Sequence, residues 1–197
     1  MINYINVIIM IASMLWYTIF YIISVGPARM EKKKGDKSYK ICSRIRKISF
    51  VGMCVFLLAE IIYLFYPLNI GLSTRLFSGI SGWIISIAIG LVISIAATIL
   101  MRAAVAVAND SITTRKENGM YGGIYQKIRH PQAIGDVSYW IALAFFFNSP
   151  FLILINLLWI PLNYIIAKYE EKDLKLRFGQ NYVDYMKTTG MFIPKRK

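Results

Sequence analysis

The chain has 197 residues, 57% of them hydrophobic, and a formal net charge of +13. Its apolar residues fall in continuous blocks of about 20, the length that spans hydrocarbon, which excludes a soluble domain and the alternating pattern of a closed β-barrel. The positive charge crowds beside those blocks, as topology and anionic headgroups require, and this placement argues against nucleic acid as a partner.

The first apolar block covers residues 2–25 and is stopped by Gly26-Pro27. It lacks a basic n-region and a small-residue cleavage site, so it reads as a transmembrane helix rather than a signal peptide. Residues 29–47 follow, with nine Lys/Arg against Glu31 and Asp36, and read as a solvated loop. The second block, residues 48–66, ends before Pro67 and contains Glu60. An acid inside a membrane helix is a functional candidate by default. Glu60 lies past the helix midpoint, away from the basic side, and is read as neutral or paired within the bundle. Residues 68–76 form a short loop whose only basic residue is Arg75.

The third block, residues 78–108, is longer than a bilayer needs and is expected to project beyond it. A polar, glycine-bearing segment then leads to Pro131. The last two blocks, residues 132–147 and 151–168, are separated by Asn148-Ser149-Pro150, a turn signal. Sixteen helical residues reach only about 24 Å, so the pair is expected to form a short helical hairpin. Pro161 should kink its second arm. The polar tail with spaced aromatics reads as an interfacial helix. The expected fold is thus an all-α integral membrane protein. It has about five transmembrane helices, the last two a hairpin, then a C-terminal interfacial helix, all in one domain over residues 1–197.

Of 23 Lys/Arg, 22 lie in the segment 29–47, between Arg102 and Arg129, or from Lys168 onward. Five crossings put these three segments on one side, and the positive-inside rule makes that side cytoplasmic, with the N-terminus outside. The expected location is the cell membrane of a prokaryote or the endoplasmic reticulum of a eukaryote. The two cysteines, Cys42 and Cys54, have no metal-ligand spacing, and no metal is expected.

Two segments carry candidate chemistry. The first is Gly122-Gly123-Ile124-Tyr125-Gln126-Lys127-Ile128-Arg129-His130-Pro131-Gln132-Ala133, with the only histidine of the chain. Pro131 suits a first helical turn, and the N–H groups of Gln132, Ala133 and Ile134 would then favour an anion such as a carboxylate. A plain interfacial cap is the alternative. The second segment is Glu170-Glu171, with Leu174, Phe178-Gly179, Tyr182 and Tyr185 behind it. It reads either as an exposed acidic turn on a helix ending at Gly179 or as a site for a cationic group.

Taken as a pair, Gly-Ile-Tyr-x-x-Ile-Arg-His-Pro, a two-helix hairpin and Glu-Glu-x-x-Leu-x-x-x-Phe-Gly-x-x-Tyr-x-x-Tyr resemble the isoprenylcysteine carboxyl methyltransferase and phospholipid methyltransferase family of membrane enzymes. The likeness covers about residues 110–194. It implies transfer of a methyl group from S-adenosylmethionine to a lipophilic, membrane-embedded or lipidated acceptor that enters from the bilayer. It also implies a cofactor pocket of Asp110, Glu117, Asn118, Gly119, Met120, Tyr125, His130, Pro131, Gln132, Ala133 and Glu170. Arg129 and Glu170 become the candidate catalytic residues, and Lys168 and Glu171 the candidate substrate contacts. Two positions depart from the pattern: Ala133 stands where tyrosine is usual, and no arginine precedes Glu170 by one turn. Carboxyl methylation of an isoprenylcysteine-like acceptor is preferred to N-methylation of a phospholipid, with Lys168 or Arg129 replacing the missing arginine. An NADPH-dependent lipid or sterol reductase and a non-catalytic membrane scaffold are the alternatives.

Overall fold

The computed structural model describes residues 1–108 and 122–195. Its helices are α1 (Ile2–Ser24), α2 (Pro27–Lys34), α3 (Lys37–Phe65), α4 (Gly79–Ala108), α5 (Pro131–Phe146), α6 (Pro150–Leu157), α7 (Trp159–Phe178) and α8 (Gln180–Thr188), with a 3-10 turn at Gly123–Gln126. No strand occurs among the described residues, and the fold is an all-α membrane protein. Four helical segments are long and apolar enough to cross a bilayer: Ile2–Ser24, Lys37–Phe65, Gly79–Ala108 and Pro150–Phe178. The fifth apolar helix, α5, has 16 residues and runs beside α6 and α7 as the other arm of the hairpin.

The basic segment 29–47 is helical rather than a loop. Pro27 starts α2 at a position where its missing N–H costs nothing, and Gly35, at φ 58°, separates α2 from α3. The chain reverses there, so α1 and α3 pack along their whole lengths. Gly52 makes that approach possible, because a Cβ there would lie 2.8 Å from the Ser13 carbonyl oxygen and 2.8 Å from Trp16 Cδ1. The second long pair is α4 with α5, pinned by the Ser86 hydroxyl donating to the Phe145 carbonyl at 2.7 Å.

The core between these pairs is aromatic. Trp140 of α5 stacks on Trp159 at 5.8 Å, Phe56 of α3 meets both rings edge-on, and Tyr17 of α1 meets Trp159 edge-on at 5.4 Å. Large side chains pointing the other way, such as Ile8, Leu58, Val92 and Ile99, are exposed and suit lipid. Close packing and interhelical hydrogen bonds therefore hold the bundle, as expected where the surrounding solvent is itself apolar.

The kink lies where Pro161 requires it. Pro161 has no N–H for the Leu157 carbonyl, and the helix breaks at Leu158, between α6 and α7. At the hairpin tip, Asn148 adopts φ 49° and is fully buried. It exchanges side-chain hydrogen bonds with the Phe77 backbone at 2.8 and 3.1 Å, and its carbonyl accepts from Leu76 N–H at 2.8 Å. Ser149 caps α6 by accepting from Leu152 N–H. Glu60 pairs inside the bundle: its Oε1 accepts from Asn156 Nδ2 at 2.7 Å.

Candidate active site

The hairpin explains how the two motif segments meet. It leaves from His130 and returns at Glu170, so both lie at the same end of the bundle. His130 is the N-cap of α5, with Pro131 behind it and no side chain capping the helix. Helical geometry gives the Ile134 N–H to the His130 carbonyl, leaving the N–H groups of Gln132 and Ala133 without intrahelical partners. Gln132 and Ala133 are half-buried; Pro131 is buried.

His130 is wedged between the two adjacent acids of α7. Its Nδ1 lies 3.5 Å from Glu170 Oε2 and its Nε2 lies 3.3 Å from Glu171 Oε1. Its ring is 5.9 Å from Phe192, which in turn lies over Tyr164. Burial alone would lower the imidazole pKa. The hydrogen bonds and charges of Glu170 and Glu171 outweigh it and raise the value above the ordinary 6.5.

The acids differ in surroundings. Glu171 keeps only 4% of its side-chain surface and is held by Arg129, whose Nε donates to Oε1 at 2.8 Å. Glu170 keeps 39% of its side-chain surface. It also lies within range of the Arg46 charge from α3. Arg129 itself is 93% shielded at its side chain, leaving 7% exposed, and it also donates to the carbonyls of Met186 and Thr189. It acts here as a brace between α7 and the end of α8. Lys168 is exposed and extends over the Tyr164 ring.

The loop before His130 is fixed by the chain's last turn. Ile128 and Gly190 form a parallel bridge, with Arg129 N–H donating to the Gly190 carbonyl at 2.9 Å and His130 N–H to that of Met191 at 3.1 Å. Gly190 tolerates no side chain, because a Cβ would collide with the Ile193 carbonyl. The Tyr185 hydroxyl donates to the Tyr125 carbonyl, and the Thr189 hydroxyl donates to that of Gln126. Tyr125 is buried, with its ring against Ala104 and Ala108 of α4. Gly123 sits at φ 58° and against Val107, so the 3-10 turn depends on it.

His130, Pro131, Gln132, Ala133, Arg129, Glu170 and Glu171 are thus gathered at one end, Tyr125 stands at the edge of that group, and Lys168 is linked to it through Tyr164 and Phe192. Asp110, Glu117, Asn118, Gly119 and Met120 lie outside the described residues. No cluster of His, Cys, Asp or Glu suited to a metal occurs among the described residues. Sequence reasoning missed two contributors. Arg46 sat in a basic stretch, without a motif to mark it. Gly190 stood in a tail read only for its aromatics.

The class is that of an all-helical bilayer protein with a cluster of polar and charged side chains at one end of its bundle, where the uncapped N-terminus of α5 stands beside the accessible Glu170. A family model described as phospholipid methyltransferase matches residues 79–181, just over half of the chain, from α4 into α8. The chain belongs to the phospholipid methyltransferase family and is, by that membership, a membrane methyltransferase. Neither the curated proteins nor the solved structures contain a match.

Proposed function

We propose that this protein transfers a methyl group from S-adenosylmethionine to a lipophilic acceptor that reaches the site from the bilayer. The observation that supports this most is the meeting of the α5 N-terminus with Glu170 across His130. The group itself would bring a methyl on a sulfonium cation, with a carboxylate and an amine at its other end. The chain's donors suit it: the Gln132 and Ala133 N–H groups fit a carboxylate, and Glu170, still accessible, fits an amine or sulfonium. His130 orients Glu170, and the Arg129–Glu171 pair holds His130 in place. The aromatic layer of Trp140, Trp159, Phe56 and Tyr17 closes the site toward the bilayer centre and keeps bulk water out of it. Alignment and desolvation of the acceptor then do most of the work. By the positive-inside rule this end of the bundle is cytoplasmic.

The acceptor class rests on other residues. The preference for a carboxylate acceptor depends on a cation at Lys168 or Arg129. Arg129 is engaged by Glu171 and two carbonyls, and Lys168 extends over Tyr164, so the contacts of these two residues do not by themselves choose between a carboxylate and an amine acceptor.

The test is to purify the protein in detergent and heat it with S-adenosylhomocysteine or with NADPH. Stabilisation by S-adenosylhomocysteine, diminished in Glu170→Gln, is expected. Stabilisation by NADPH alone would make it a reductase. No stabilisation by either, with no methyl incorporation from labelled S-adenosylmethionine into membrane lipids, would leave only a scaffold.

A further inference from the structure

Asp136 is a carboxylate that the bundle does not use. It makes no hydrogen bond and no ion pair with any described residue. Its neighbours on α5 define where it faces. Gln132, Asp136 and Trp140 are spaced four apart, so they form one stripe along the helix. Trp140, at the deep end, stacks on Trp159 of α7 and meets Phe56 of α3. Gln132, at the other end, lies in the first turn beside His130. Asp136 therefore looks into the bundle between these levels, about 6 Å from the Trp140 level and about 9 Å from the His130 level along the helix. The charged and titratable groups around the same space are Tyr17 and Tyr21 of α1, Arg46 of α3, Glu170 of α7 and His130. Tyr17 and Tyr21 lie within range of the charges of Asp136, Arg46 and Glu170 together.

Asp136 is half-buried, so its carboxylate keeps an open side toward the space beneath His130 while apolar and aromatic side chains flank it, a position in which an incoming cationic group would find an unengaged acid. We propose that Asp136 is the acceptor-side residue of the site: it receives the protonated amine of a lipid acceptor and takes its proton so that the nitrogen can be methylated. This rests on the methyltransferase reading above and extends it to the acceptor. The step balances. An ammonium N–H bond breaks and the proton passes to an Asp136 carboxylate oxygen. The freed lone pair forms the N–C bond to the methyl carbon while the S–C bond breaks with its electron pair on sulfur. The positive charge moves from sulfonium to the methylated ammonium, and Asp136 returns its proton to water when the product leaves. A carboxylate acceptor has no proton to lose and would face Asp136 and Glu170 as like charges, so the same residue selects against it.

Asp136→Asn keeps the volume and removes the base, and Asp136→Glu restores it. The protein is supplied with labelled S-adenosylmethionine and vesicles containing either phosphatidylethanolamine or farnesylcysteine. Wild type is expected to methylate the amine lipid. Asp136→Asn is expected to lose at least about 100-fold in kcat, the scale of general-base catalysis, while S-adenosylhomocysteine stabilises it as well as wild type. That unchanged stabilisation also reports that the variant is folded. The acid limb of the wild-type rate–pH profile should disappear in Asp136→Asn and return in Asp136→Glu. Retention of the rate within a few-fold in Asp136→Asn overturns the assignment. So does loss of S-adenosylhomocysteine stabilisation in a variant of unchanged helix content, which would make Asp136 a cofactor contact. Wild-type methylation of farnesylcysteine alone also overturns it while leaving the methyltransferase reading intact. Absence of both stabilisation and methylation in wild type removes that reading, and the role of Asp136 falls with it.

Discussion

At the scale of single residues, the site is held by charge at His130. Glu170 and Glu171 raise its pKa above the ordinary 6.5 even though burial works against them. A raised histidine value means that the charged form is favoured by folding. The stability it contributes is complete below about pH 6.5 and is lost as pH rises through the folded value. The melting temperature of wild type should therefore fall from about pH 6 to about pH 9 more steeply than that of His130→Asn, where this group is gone. Equal slopes in a detergent thermal-shift series would show that folding leaves the His130 pKa unshifted. Arg129 supports the same conclusion from the other side. Removing it by Arg129→Ala leaves Glu171, with 4% of its side-chain surface exposed, only His130 as a partner and should destabilise by about 2 kcal/mol. The loss would appear in the melting temperature with or without S-adenosylhomocysteine, which separates a brace from a ligand contact.

At the scale of elements, the hairpin and the tail work as one unit. The tail from Gly190 onward supplies two backbone hydrogen bonds to Arg129 and His130, and Phe192 lies against the histidine ring. Truncation after Thr189 removes these contacts without touching any transmembrane helix. At about 1 kcal/mol each, the two hydrogen bonds set the loss at about 2 kcal/mol of loop ordering, or roughly 30-fold in S-adenosylhomocysteine affinity. Calorimetric titration of the truncated protein checks this, and unchanged affinity would show that the loop orders itself. The same elements mark what could be read from sequence. The apolar blocks, the turn at Asn148, the break ahead of Pro161 and the helix stop at Gly179 were legible because each follows from a local property: length, dihedral preference or a missing N–H. The helicity of residues 29–47 was not, because charge was read as solvation and α2 is held by contacts far away in sequence. Within the site, His130 and Glu170 were legible through paired motifs. Asp136 was not, since its meaning comes from what it faces, and the committed state of Arg129 depends on carbonyls in α8 and the tail.

At the scale of the whole molecule, the family-matched segment from α4 onward and the helices before it are clasped at two ends. At the end that carries His130 and Glu170, the buried Asp173 of α7 accepts from the backbone N–H groups of Ala28 at 3.3 Å and Arg29 at 3.0 Å, capping α2 from outside its own chain segment. At the far end, Glu60 of α3 accepts from Asn156 Nδ2, which also donates to the Trp140 carbonyl at 2.9 Å. Glu60 Oε2 and Asn156 Oδ1 are both buried without a partner. Glu60→Gln would keep a carbonyl acceptor for Asn156 Nδ2 and supply an amide N–H for Asn156 Oδ1, so it should match or exceed wild-type stability. Glu60→Ala removes both and should cost about 1–3 kcal/mol, as should Asp173→Ala at the other clasp. The two clasps share no residue. Asn156 and Asp173 stand more than ten residues apart along α6 and α7, so roughly 15 Å or more separates the clasps. Their effects should then add to within about 0.5 kcal/mol in the double variant. Thermal or denaturant unfolding of the four proteins in one detergent closes the cycle. Additive losses fit two independent clasps on a rigid pair of units. A double variant no worse than either single one would mean that the N-terminal helices leave the site-bearing unit as soon as one clasp opens.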